Sequence, residues 1–214
     1  MTRRQLALVL HAALLPGVMF FVVPALTGWQ PQLGYLLSLG VYWLIFCVPV
    51  IALHAWRRHD GRLFSEKLRW QDWWVPLAVL VQVLAVAIAV FVPNTELLTT
   101  HGAMLAAAVA LVNAPLEEAA WRGGFLTSFA ERRRLGFWLC WVLFTFWHTP
   151  LLLARGIDID ALTLLGGAGV LGLFWGWIAW RTGSVFYTTI GHGLTNAISF
   201  WVLFNTNGFV AGHA

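Results

Sequence analysis

Apolar residues run along this chain in long stretches, each ended by a short cluster of polar or charged residues. A bilayer-spanning helix needs about 20 predominantly apolar residues. Seven stretches qualify, running roughly Gln5–Leu26, Leu33–Trp56, Trp73–Val92, His101–Phe129, Gly136–Ala154, Leu162–Trp180 and Val185–Phe204. The sequence shows no sustained alternation over many short strands, which a membrane β-barrel would require. No internal repeat, low-complexity tract or long linker divides the chain. The pattern predicts an all-α fold, a polytopic transmembrane helical bundle of about seven spans forming one integrated membrane domain. Thr2-Arg3-Arg4-Gln5 loosely resembles a twin-arginine signal, but the apolar stretch after it exceeds a signal-peptide core and no A-x-A site follows. The first segment is therefore read as a retained helix.

Composition sharpens this reading. Hydrophobic residues make up 60% of the 214, charged residues only 10%, and the mean hydropathy is +0.76. Soluble domains carry about 25% charged residues, so a disordered chain and a soluble enzyme of ordinary surface are excluded. The net charge of +4 does not indicate a nucleic-acid partner, because the basic residues lie in short clusters between apolar runs. With the N-terminus placed in the cytoplasm, the inner loops hold Arg3, Arg4, Arg57, Arg58, Arg62, Lys67, Arg69, Arg132, Arg133, Arg134 and Arg181, which is 11 of the 13 basic residues. The outer loops hold only Arg155, beside Asp158 and Asp160, and Arg122 falls within the fourth span. This asymmetry is the positive-inside signature. Trp56, Trp70, Trp73, Trp74, Trp138, Trp141, Trp177 and Trp180 fall at the inner ends, as an interfacial aromatic belt would. Cys47 and Cys140 both lie in apolar runs and form no disulfide framework or CxxC pair.

The polar side chains that lie deep are the informative ones. The fourth span reads Asn113-Ala-Pro-Leu-Glu-Glu-Ala-Ala-Trp-Arg, with Glu117, Glu118 and Arg122 inside it. An ionised group at mid-membrane costs about 2.5–3.5 kcal/mol on insertion scales, so three cost roughly 8–10 kcal/mol before pairing. Glu118 and Arg122, at i,i+4, share a face and can pair. Glu117 points about 100° away and is outside that pair. The fifth span carries His148, and the seventh carries His192 and Asn196, again at i,i+4. At 1.5 Å per residue from the inner ends, Glu118, His148 and Asn196 lie about 17–18 Å deep and His192 about 11 Å. Three helices thus bring polar groups to within about two turns of one level, which predicts one buried site reached from water. Pro115, just before the glutamates, is expected to kink the fourth span there. Ala168, Gly172 and Gly176 form a small-residue stripe suited to close packing of the sixth.

These groups suit water activation and oxyanion stabilisation. Glu117 is placed to act as general base, with His148 orienting the water or passing on its proton. His192 and Asn196 are donors suited to an oxyanion hole. Arg122 would hold Glu118 as support. The implied reaction is amide hydrolysis by direct water attack. There is no HExxH, no Glu-x-x-His and no G-x-S-x-G. A zinc ion held by Glu117, His148 and His192 stays open as an alternative, since all three are legitimate ligands. Otherwise no cofactor is expected.

Glu117-Glu118-x-x-x-Arg122, Phe144-x-x-x-His148 and His192-x-x-x-Asn196, in this order and in membrane helices, resemble the three motifs of the CPBP family, the CAAX-protease and bacteriocin-processing (Abi) intramembrane proteases. The resemblance covers about residues 100–205, marking these as the protease core and 1–99 as N-terminal membrane helices. It implies a glutamic-type intramembrane endopeptidase acting on a membrane-anchored protein or peptide near its C-terminus or leader. It also implies that Glu117 and His148 activate water, His192 and Asn196 form the oxyanion hole, and Glu118 and Arg122 support the site. Two other classes stay open: a non-catalytic immunity or scaffold protein of the same fold, and a proton-coupled transporter using the buried Glu, Arg and His as a relay. The expected location is the bilayer of a prokaryotic cytoplasmic membrane.

Overall fold

In a computed structural model of the protein, residues 1–56 and 63–210 are described. Arg57, Arg58, His59, Arg62 and His213 lie outside the described residues. Seven long helices follow one another: α1 Arg3–Trp29, α2 Pro31–Ala55, α3 Trp70–Leu97, α4 Thr100–Ser128, α5 Ala130–Leu153, α6 Leu162–Thr182 and α7 Phe186–Thr206. Several contain wide π turns or tight 3₁₀ ends, and no strand forms among the described residues. The helices α1 to α6 are long and apolar enough to cross a membrane. The 21 residues of α7 reach about 32 Å, enough to span. Its lower hydropathy comes from Thr188, Thr189, His192, Thr195 and Asn196, which it turns toward the interior or the cavity described below.

Helical spacing decides which face each helix buries. In α1 the fully or nearly fully buried side chains are Leu8, Ala12, Leu15, Met19 and Val23, a stripe at steps of three and four. In α2 the same role falls to Tyr35, Leu39, Tyr42, Phe46 and Val50. The opposite faces carry Phe21, Leu44, Ile88 and Leu111 at 68–79% exposure. Water would not tolerate so broad an apolar surface, whereas lipid does. Half of the most apolar stretch of α4 is buried against 17% of that of α3, so α4 is the central helix, and α4 with α7 forms the most extensive pair.

Small residues allow the close approaches. Gly172 lies against Phe144 and Gly176 against Phe137, so the stripe on α6 packs on α5 as its spacing predicts. Gly34 brings α2 against the last turn of α1, and a Cβ there would fall on the Leu26 carbonyl.

The two ends of the bundle differ in charge. At one end Arg4 Nη2 donates to the His54 carbonyl (2.8 Å) and Gln5 to that of Ser128 (2.9 Å). There too Arg133 donates to Trp180 O, and Arg181 and Arg69 both pair with the buried Asp72 at 2.6 and 2.8 Å. At the other end Arg155 N donates to Thr27 (2.9 Å), Gln32 to Asn207 (2.9 Å) and Thr99 N to Asn205 (3.0 Å). The loops sort to the two ends as the charge asymmetry requires. Trp56, Trp70, Trp73, Trp138 and Trp177 are exposed at the arginine-rich end, as belt residues would be. Trp180 is not a belt residue: it is buried, and its Nε1 donates to Arg133 O (3.0 Å), clasping α5 to α6.

Gly34→Ala is expected to cost about 3 kcal/mol or more through overpacking. Gly40→Ala, on the same helix with open space around its Cα, should change stability by no more than about 1 kcal/mol. Thermal unfolding of both variants in detergent checks the contrast, and equal melting temperatures would contradict the helix contact.

Candidate active site

The α4 helix changes pitch where its polar residues begin. Pro115 supplies no N–H to the turn before it, and from Glu118 to Gly123 the backbone winds as a π turn. Wide turns of this kind recur at functional sites because they re-aim consecutive side chains. Here they turn Glu117, Glu118 and Arg122 inward, each at most 2% exposed.

His192 of α7 bridges the two glutamates. Its Nδ1 lies 2.9 Å from Glu118 Oε1 and its Nε2 3.2 Å from Glu117 Oε2. Arg122 Nη1 is 3.0 Å from the same Glu118 oxygen, an ion-pair contact whose angle falls short of a hydrogen bond. Arg122 Nη2 reaches the Gly172 carbonyl at 3.3 Å, and the guanidinium lies 3.9 Å above the Phe144 ring. Gly172 is thus a packing residue and, through its carbonyl, a partner of the buried arginine.

Further groups hold these in place. Asn113 Nδ2 donates to Glu117 Oε2 (3.1 Å), and its own carbonyl accepts from Trp43 Nε1 (2.7 Å). Trp175 stacks on His192 with centroids 4.2 Å apart. Its Nε1 donates to Gln82 Oε1 (3.2 Å), and Gln82 Nε2 donates to Thr195 Oγ1 (2.8 Å). Sequence reasoning assigned no role to Asn113, Trp43, Gln82, Trp175 or Thr195. Gln82 had a signal of its own, as a lone amide in an otherwise apolar span.

A cavity of about 310 Å³ lies over this cluster and is lined by Glu117, His148, His192 and Asn196 among others. Glu118 and Arg122 are not among its lining residues and lie behind it. The six residues singled out by sequence therefore form one site in two layers. His148 is closer to the outer end of its helix than the depth arithmetic placed it. Regular α-helix runs from Arg133 to Trp147, and a tight turn containing Pro150 follows. His148 Nδ1 lies 2.8 Å from the Phe144 carbonyl. That oxygen can only accept, so Nδ1 carries the proton and Nε2 is the ring nitrogen left for chemistry. Asn196 Nδ2 is buried and finds no protein acceptor. At the rim, hydrogen bonds from Thr163, side chain and then backbone, hold the Asp160 carboxyl below its usual range. Among the described residues no three His, Cys, Asp or Glu side chains converge in a way that would hold a metal ion.

Residues 99–198 match the family described as type II CAAX prenyl endopeptidase Rce1-like. No curated protein and no solved structure matches the chain significantly. The matched segment, just under half of the chain, contains all three motifs, and with its membrane-crossing helices this integral membrane protein is consistent with the CPBP/CAAX protease family of CAAX-type intramembrane endopeptidases.

Arg122→Ala should destabilise the fold by about 3–5 kcal/mol, because it leaves the Glu118 carboxylate buried without its cation. Adding Glu118→Gln should recover part of that loss, since the pair is coupled. A melting temperature unchanged by Arg122→Ala would refute the pairing.

Proposed function

We propose that this protein is a glutamic-type endopeptidase that hydrolyses a peptide bond of a membrane-anchored protein or peptide by direct water attack. One observation carries the reading: Glu117 and His148, from two helices, line a single buried cavity while the Glu118–Arg122 pair is kept behind it. Glu117 takes a proton from a water whose oxygen attacks the scissile carbonyl carbon. Glu118 Oε1 is engaged by Arg122 and His192 and Glu118 does not line the cavity, so Glu117 is the carboxylate presented to it. His148 Nε2 accepts from the same water and fixes its approach. The negative charge gathering on the carbonyl oxygen meets Asn196 Nδ2, a preplaced donor. When the C–N bond breaks, the proton held by Glu117 passes to the departing nitrogen, leaving a carboxylic acid and an amine.

His192 serves this scheme chiefly by orientation. Its two nitrogens fix both carboxylates, Trp175 fixes its ring plane, and Gln82 fixes Trp175. The substrate is proposed to be cut near its C-terminus or leader, in a prokaryotic cytoplasmic membrane, with no metal taking part.

Glu117→Gln should reduce cleavage to background with the protein still folded. Asn196→Ala should lower kcat about 10²–10³-fold, the usual cost of one oxyanion donor, with little change in KM. Comparison of membrane-protein termini in native membranes, wild type against Glu117→Gln, reads the first. Full activity in Glu117→Gln would refute the glutamate mechanism.

A further inference from the structure

We infer that the catalytic cavity is filled from the membrane face opposite the arginine-rich loops, so that the substrate is an apolar polypeptide segment presented at the extracytoplasmic interface. The substrate clause rests on the peptidase reading above; the orientation does not.

Three observations carry the inference. The first is where the cavity walls come from. Its floor is Glu117 and His192, and its rim includes Asp158, Asp160, Thr163 and Thr206. Among the described residues, none of the loops at the arginine-rich end contributes. His192 and Thr206 stand 14 residues apart on α7, about 21 Å of helix, which corresponds to about six residues of extended chain. Its walls are largely apolar, supplied by residues such as Leu39, Leu164 and Leu171. They suit an apolar stretch better than a charged one.

The second is what lies below the floor. Toward the arginine-rich end, Trp121, Phe125 and Phe129 stack in succession down α4, with centroids 6.2 and 5.8 Å apart, and none has any exposure. Arg122, 1% exposed, lies over Phe144 on the neighbouring helix. A polypeptide approaching from that end would have to displace this aromatic column and the buried ion pair.

The third is charge. Three of the 13 basic residues lie outside the described residues; of the other ten, eight lie at the closed end. Only Arg155 lies at the end where the cavity opens, near Asp158 and Asp160, and Arg122 is internal. The retained loop charges of a membrane protein are cytoplasmic, so the closed end faces the cytoplasm and the open end faces away from it.

Two single-cysteine variants test this in a background with the buried Cys47 and Cys140 replaced by alanine. Thr163→Cys is exposed at the cavity rim and Arg132→Cys is exposed at the closed end. A membrane-impermeant maleimide applied to right-side-out vesicles should label Thr163→Cys and leave Arg132→Cys unlabelled until the vesicles are opened. Inside-out vesicles should reverse the pattern. Labelling of Thr163→Cys only from the cytoplasmic side would overturn the orientation. Termini that depend on Glu117 should map to the extracytoplasmic side of their proteins, and termini confined to the cytoplasmic side would overturn the substrate class while leaving the peptidase intact. If no termini depend on Glu117, the peptidase reading falls and the substrate class with it. The labelling result would still decide the orientation.

Discussion

Two carboxylates and a guanidinium are buried side by side in the middle of a membrane protein, and the rest of the structure is arranged around making that tolerable. Unpaired, the three would cost roughly 8–10 kcal/mol on insertion scales, comparable to the whole stability of an ordinary domain. The compensation is local. Arg122 answers Glu118, and His192 answers Glu117 and Glu118 together. Each His192 contact is a hydrogen bond only when that nitrogen carries a proton. With both protonated, the four formal charges sum to zero. In that state the bundle would bury a neutral ionic cluster rather than three separate charges, and in any state the contacts tie α4, α6 and α7 to one geometry.

The backbone features nearby follow from that requirement. A regular helix would send Glu117, Glu118 and Arg122 to directions fixed at 100° steps. The π turn after Pro115 relaxes the pitch where two adjacent glutamates must both face inward. Gly172 has no side chain because the space is needed by Phe144 and Arg122, and its carbonyl is then free to accept from the guanidinium. Lipid tails give no hydrophobic drive for helix association, so close packing at glycines and buried polar bonds hold these helices together.

Much of this could be read in the sequence because a bilayer makes polar residues conspicuous. Glu117, Glu118, Arg122, His148, His192 and Asn196 stood out as groups that an apolar span should not contain, and helical spacing alone paired Glu118 with Arg122. The same rule, applied to every span, would have drawn attention to Gln82. It was missed because an amide carries no formal charge and had no obvious partner at i,i+4; its partners, Trp175 and Thr195, are on other helices. Asn113 does lie at i,i+4 from Glu117, yet which of its neighbours would claim each end of the amide depended on Trp43, 70 residues away in sequence. Trp180 resembled a belt residue because position along the chain does not reveal whether a ring faces lipid or a neighbouring helix. The depth of His148 was misjudged for a related reason: the helix begins before the apolar run does, so counting from Gly136 started a turn or more too late.

The N-terminal half is more than an anchor for the half that carries the three motifs. The family match begins at residue 99, and every residue of the three motifs lies beyond it. Yet Trp43 of α2 orients Asn113 against Glu117, and Gln82 of α3 orients Trp175 against His192. Tyr35 and Leu39 of α2 and Val90 of α3 wall the cavity itself. The proposed acid–base groups come from the matched segment, while part of their alignment and part of the surface a substrate would meet come from outside it. Changes in α2 and α3 can therefore alter which segment fits the cavity while the reacting groups stay the same. On that division, chemistry would be the shared property of the family segment, and substrate choice a property of the whole bundle.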